Sequence, residues 1–388
     1  MKKTYLSWLL AGAAVFAAAD ASAAFKVVKP NPQRSYIDTN GVYVYSEGVA
    51  SDNHSTVVTE RVSTQRTVNA QIDLIHARLA DRGMSGAAAG SKEGNLFSVS
   101  GSNAGGMDGA NGLWANGRWD HIKDDTNGGK WDANLWSFAL GYDHRFNQRF
   151  LAGLAVHYHY MRGDTSFNQG NIRDHGYGVT PYATFKVNDW LDLDAIFGYS
   201  RFTKNRTRTQ MGSKPGSVSG VGQKVSGDPK SDRYFASLFA NLTHRVQKWD
   251  FLGRLGYIHA QDNQKSFTES NGDQYDKLKT KLNRLSLRLQ AGYKLNEMVS
   301  PYLFGLYVRD FTENKHGLLS SATDVAPGGT TTVAIVNPEE NRSKNTWGAG
   351  LGLRFNSGKR LSGGLEYQYT ANKKVKTNTV NVNVKYKF

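Results

Sequence analysis

The sequence predicts an all-β protein: a twelve-stranded antiparallel transmembrane β-barrel with one N-terminal helix in its lumen. Three observations carry this. Over residues 113–388 apolar side chains recur at every second position. The connections between the resulting strands alternate short and long. Aromatic residues gather near both ends of the strands. Composition agrees, since 18 Phe, 19 Tyr, 8 Trp and 41 Gly against 8 Pro in 388 residues favour sheet over helix. A mean hydropathy of −0.53 excludes a helical membrane protein. The absence of Cys excludes disulfides and any Cys-based metal or nucleophile site. The formal charge of +15 points to an anionic partner, either nucleic acid or anionic lipid and sugar.

Residues 1–23 read as a secretory signal peptide. Lys2 and Lys3 form the basic start, an apolar stretch follows, and Ala21-Ser22-Ala23 supplies the small residues a peptidase needs. The other reading, an uncleaved anchor, suffers from Asp20, which ends the apolar run too early for a full span. Export makes a nucleic-acid partner improbable. Residues 24–54 form a short polar segment, too small for a core of its own, with one strand-like piece over 42–45.

Residues 55–82 predict a helix. Val58, Val62, Val68, Ile72, Ile75 and Leu79 recur near helical spacing, Pro and Gly are absent until Gly83, and Ser55 is placed to cap the start. The apolar stripe is thin, and Arg61, Arg66, Asp73 and Arg78 surround it. Residues 83–112, rich in Gly, Ala and Ser, read as a linker.

The strands are expected near 113–122, 131–143, 149–162, 175–186, 190–202, 232–244, 248–260, 281–294, 299–311, 345–356, 360–371 and 376–388. The last is clearest, with Val380, Val382, Val384, Tyr386 and Phe388 on one face and Thr379, Asn381, Asn383, Lys385 and Lys387 on the other. Connections after even-numbered strands are short. Those after odd-numbered strands are mostly long: 123–130, 163–174, 203–231, 261–279 and 312–344, the final hairpin excepted. An up-and-down outer-membrane barrel has this asymmetry. One aromatic belt is expected at Tyr142, Phe150, Phe185, Trp190, Trp249, Tyr293, Tyr302, Phe355 and Phe388. The other is expected at Tyr160, Tyr177, Tyr199, Tyr234, Tyr257, Trp347 and Tyr369.

Gly-Leu-Trp-Ala at 112–115, the strand over 176–185, Ser300-Pro301-Tyr302 and the ending Val384-Lys385-Tyr386-Lys387-Phe388 resemble the autotransporter β-domain, the translocator of type V secretion. The resemblance covers residues 55–388. It implies a Gram-negative outer-membrane location, a helix threading the lumen, and export of an upstream passenger. It also implies that Tyr386 and Phe388 form the signal read by the β-barrel assembly machinery, with periplasmic chaperones as earlier partners. The family usually carries a passenger of hundreds of residues, whereas here about 30 lie between signal and helix, so a vestigial passenger is expected.

The candidate lumen lining is Asp192, Asp194, Arg254, Arg284, Arg288, Arg354 and Glu366, with Arg61, Arg66 and Arg78 of the helix facing acids such as Asp192, Asp194 and Glu366. His157 and His159 share one side of a strand and read as a metal pair or as polar lining, the latter favoured because no third ligand is identifiable. Asp192 and Asp194 read as a general acid–base pair or as lumen charges. No nucleophile elbow or His-Glu-x-x-His pair is present, so no catalytic, cofactor or metal residue is assigned. Lys204, Arg206, Arg208 and Lys214 lie in an expected outer loop over 203–232. That loop would either dock an anionic surface ligand such as lipopolysaccharide or stand solvated. The expected function is display or translocation of the N-terminal segment; a small-solute pore and a loop-borne adhesin remain alternatives.

Overall fold

The computed structural model describes residues 54–81, 111–126, 129–166, 168–209, 224–270, 274–275, 277–296, 298–312, 343–356 and 361–386, with two short ribbons pairing 35–37 with 43–45 and 321–326 with 329–334. The expected signal peptide, most of the polar segment and of the linker, Lys214 and Phe388 lie outside the described residues.

All twelve expected strands are present: β1 Asn111–Asp124, β2 Trp131–Arg145, β3 Phe150–Thr165, β4 Gly170–Lys186, β5 Leu191–Thr209, β6 Lys230–Val246, β7 Trp249–Gln264, β8 Leu278–Tyr293, β9 Val299–Asp310, β10 Asn345–Asn356, β11 Leu361–Ala371 and β12 Val375–Tyr386. Each pairs antiparallel with its sequence neighbours. The last strand pairs with the first, Val375 opposite Asp124 and Val384 opposite Ala115. The twelve strands therefore close on one another, which spares them an open edge that hydrocarbon could not satisfy; a short further strand, Lys224–Gly227, pairs with the top of β5 alone. Pro181 interrupts only the β5 side of β4, where the register skips from Val179–Tyr199 to Tyr182–Ile196. No described helix is long and apolar enough to cross a membrane.

Period-two patterning sorts the side chains. On β5 the outward row runs Leu191, Leu193, Ala195, Phe197 and Tyr199, then changes to Arg201, Thr203, Asn205, Thr207 and Thr209. The apolar band thus ends near Tyr199, and the upper half of this 19-residue strand stands beyond it. A membrane-crossing strand needs only ~9–11 residues. On the outer wall Tyr142, Phe185, Trp190 and Trp249 mark the end with the short turns, and Tyr177, Tyr199, Tyr234 and Trp347 the other. Tyr302 departs from the expected belt. It follows the lumen-facing row of β9, with Phe304, Val308 and Asp310, and its ring covers Gly352 of β10, where a Cβ would collide with it.

The expected turn after β10 falls on residues 357–360, outside the described residues; the short turns among the described residues lie at 146–149, 187–190, 247–248 and 294–298. In one of them the Lys186 ammonium, 2.8 Å from Asp189, holds that carboxyl below its ordinary range by hydrogen bonding and charge. Gln247 takes a left-handed φ of 54° to make its tight turn. At the opposite end the expected loop over 163–174 contracts to 166–169, because β3 and β4 continue upward. The expected loop over 203–232 likewise loses residues 203–209 to β5 and 230–232 to β6. Above the apolar band both strand faces are polar, so hydropathy alternation fades while the strand persists.

Candidate functional site

The candidate site is the barrel lumen and the helix α1, His54–Asp81, that fills it. The helix begins one residue before Ser55, which therefore lies within the first turn and is not its cap. At 28 residues it is roughly 42 Å long. Nearly every described side chain from Thr59 to Leu79 is buried. The exceptions are Gln65, Asn69, Asp73 and Ala77, a row at four-residue intervals on one face.

The polarity of α1 is fixed by its partners. Near its start, Glu60 and Arg61 meet the upper parts of β5, β6 and β9. Near its end, Arg78 donates to Asp143 at 2.8 Å, on β2 close to a short turn. The N-terminal end of α1 therefore lies at the end that carries the long loops. Arg78 also sits in the last helical turn, where a cation suits the helix dipole.

Two kinds of contact hold α1. Its apolar stripe, Val68, Ile72, Ile75 and Leu79, packs with Trp114, Leu151, Tyr182, Ile196, Phe235, Phe239 and Ile258 of the wall from β1 to β7. Phe235 reaches inward over Gly198 of the adjacent strand, a site no larger residue fits without moving the ring. The rest is polar. Lys204 lies 2.6 Å from Glu60 and 3.4 Å from Asp262, and Arg233 lies 2.8 Å from Asp262 and 3.4 Å from Glu60. Arg61 pairs with Asp310 at 3.1 Å, and Gln65 donates to the same carboxylate. Gln71 donates to Ser200 at 2.7 Å, and Asn116 donates to the Leu74 carbonyl at 2.7 Å. Arg118 of β1 joins Asp73 of the helix to Asp120, and Asp120 in turn accepts from Thr379 of β12 at 2.6 Å. Charges this deeply buried persist only when paired or hydrogen-bonded.

These positions correct two expectations. Lys204, Arg206 and Arg208 are not on an exposed loop. They form the inward row of upper β5, each almost wholly buried, Arg206 on Asp174 and Arg208 on Glu269 at 2.7 Å. They cannot meet a ligand outside. The expected acids for the helix arginines are also replaced: Arg61 meets Asp310, Arg78 meets Asp143, and Arg66 donates to the Thr370 hydroxyl at 3.0 Å. Asp194 accepts from Thr184 and Asn241 at 2.8 Å each, and His76 approaches it at 3.5 Å without a hydrogen bond. Asp192 has one oxygen with no hydrogen-bond partner. Glu366 does pair within the lumen as lining, with Arg288 at 2.7 Å and the Tyr302 hydroxyl at 2.9 Å. Arg254 donates to Asn241 at 2.6 Å and Arg284 to Asn69 at 2.8 Å.

His157 and His159 both point inward and are buried. His159 contacts Ser137 at 2.8 Å and Gln71 at 2.9 Å. Among the described residues no group of three His, Asp or Glu side chains is placed to hold a metal. Sequence reasoning missed Glu60. Its signal was available: it is the first acid in a helix whose other charges there are arginines.

The autotransporter β-domain family model matches residues 113–368, two thirds of the sequence. The chain belongs to the autotransporter β-domain family. Among solved structures the barrel is similar to the translocator domain of the autotransporter NalP from Neisseria meningitidis, with a TM-score of 0.62 at 13% identity over 86% of this chain and 100% of that one. It is also similar to the β domain of the Bordetella autotransporter BrkA, with a TM-score of 0.54 at 16% identity over 72% and 100%. The transport unit of AIDA-I from Escherichia coli gives a TM-score of 0.50 at 13% identity over 81% and 97%. No curated protein matches the chain in sequence. At these identities the likeness is one of fold, and the family model carries the assignment. This chain is an outer-membrane autotransporter barrel.

Proposed function

We propose that the barrel displays its own N-terminal segment at the surface of a Gram-negative cell, with α1 as the tether that crosses the lumen. The observation that carries this reading is the direction of the helix. Glu60 and Arg61 lie beside the long-loop end and Arg78 beside the short turns, so α1 begins on the long-loop side. In an outer-membrane barrel the longer loops face outward.

The barrel is read as having no chemistry of its own. Asp194 and His159 are engaged with wall and helix side chains, under a helix that covers them. A wide solute pore is disfavoured by the same helix. Its partners in this reading are outer-membrane lipid and lipopolysaccharide along the wall. During biogenesis they are periplasmic chaperones and the barrel assembly machinery, for which Tyr386 and Phe388 supply the terminal aromatics.

An epitope inserted after Phe25, probed on intact cells, tests the display. Antibody binding and removal by external protease are expected. Detection only after the outer membrane is opened would overturn the reading.

A further inference from the structure

The helix does not fill the lumen evenly. Its half-buried row, Gln65, Asn69, Asp73 and Ala77, faces away from the apolar cluster. Two small cavities lie between that side and the wall from β7 to β12. The larger, about 60 Å³, is lined by Asp73, Arg354, Glu366, Asn381 and Asn383, among others. It presents orphan acceptors, the Asn381 and Asn383 side-chain oxygens, beside an orphan donor, Gln290 Nε2. Donors and acceptors together describe a site for water.

The smaller cavity, about 40 Å³, differs in kind. Arg66 of the helix meets Arg254, Arg284 and Arg288 of the wall around it. Asp73 also borders it but is already joined to Arg118, and Arg288 is joined to Glu366. Arg66, Arg254 and Arg284 hydrogen-bond neutral groups, the Thr370 hydroxyl and the side-chain oxygens of Asn241 and Asn69, while the carboxylates of Asp120, Asp194 and Asp310 act on them through charge without a hydrogen bond. The Nε atoms of Arg66, Arg284 and Arg288 are buried with no acceptor. Like charges held together away from bulk water repel, and a buried guanidinium whose Nε has no acceptor is costly. A volume of about 40 Å³ exceeds the ~10–15 Å³ that one water requires, so a species of about that size fits.

We propose that this cavity is a binding site for a halide-sized inorganic anion, chloride under physiological conditions, held by Arg66, Arg254, Arg284 and Arg288. The anion supplies the acceptor that the Nε donors lack, and it ties α1 to β7 and β8 through charge. The proposal does not depend on what the N-terminal segment does.

The test uses the full chain folded in detergent micelles. Chloride is titrated while sodium isethionate, whose organic anion exceeds the cavity, keeps the ionic strength constant. Chloride NMR linewidth reads binding, and thermal unfolding reads its linkage to stability. Wild-type protein is expected to broaden the chloride line saturably, to release chloride on addition of bromide, and to gain roughly 2–4 °C in Tm at saturation. Arg254→Gln and Arg284→Gln are each expected to abolish both responses while retaining heat-modifiable gel mobility. Arg201→Gln, on the outer face, retains them. No saturable broadening in the wild type overturns the proposal. So does an unchanged response in whichever of the two lumen variants folds.

Discussion

Lys204 Nζ lies 2.6 Å from Glu60 Oε2, a contact between the fifth strand and the second turn of the helix with almost no exposed surface on either side. Asp262 and Arg233 complete the group, so two cations and two anions alternate around one point of the upper lumen. Removing a single member leaves an odd charge in a place water scarcely reaches. Lys204→Met is expected to destabilise the folded barrel by about 3–5 kcal/mol. Lys204→Met with Glu60→Gln should recover a large part of that loss, because the stranded helix carboxylate is gone. Urea unfolding of the folded barrel in micelles, with the double variant as low as the single one, would refute this account of the contact.

Leu351 and Thr203 both point outward but lie at different heights. Leu351 is 63% exposed in the middle of β10, within the apolar band. Thr203 sits four residues above Tyr199, where the outward row has become polar. Leu351→Arg should cost roughly 2–4 kcal/mol in lipid, and Thr203→Arg about 0–1 kcal/mol. Refolding equilibria in vesicles measure both, and equal losses would show that the band is misplaced.

The chain has no cysteine, so single substitutions map topology directly. Lys373→Cys, in the turn between β11 and β12, should react with an impermeant maleimide on intact cells. Gln247→Cys, in the turn between β6 and β7, should react only after the outer membrane is opened. The reverse pattern would invert the barrel.

Deleting residues 54–81 removes the Val68–Leu79 stripe and every helix-borne charge in the lumen. A closed barrel should still form, because its twelve-strand ladder is complete without the helix. Single-channel conductance is expected to rise severalfold and Tm to fall. Unchanged conductance in a deletion variant shown to be folded would mean that α1 does not occlude the lumen.

Much of this architecture was legible because a membrane-embedded strand writes itself as strict alternation. The Trp136, Phe138, Leu140 and Tyr142 row faces outward, and the helix stripe packs where an amphipathic reading places it. The misplaced outer loop has a cause in the pattern itself. Above the band, Thr203, Asn205, Thr207 and Thr209 alternate with Lys204, Arg206 and Arg208. The period is still two, but it runs between neutral polar and cationic residues, which a hydropathy reading does not register. Tyr302 was misplaced because an aromatic near a turn carries no mark of which face it occupies; its partner Glu366 lies 64 residues away. Ion-pair partners were illegible for the same reason. Arg61 and Asp310 are 249 positions apart, and only the order of the closed sheet brings them together.

The line of contacts from Asp73 through Arg118 and Asp120 to Thr379 has a consequence for how such a barrel can come apart. Arg118 and Asp120 belong to the first strand, Thr379 to the last, and Asp73 to the helix. The weld between the two ends of the sheet is therefore fastened from inside to the object it encloses. Parting the first and last strands sideways would tear the Asp120–Thr379 bond and leave Arg118 and Asp73 attached to one lip only. A gate at that joint cannot swing without disturbing the helix, and a helix that slides along the axis loosens the joint. In the intact chain, opening of the wall and movement of its contents are coupled, and the seam is where they meet.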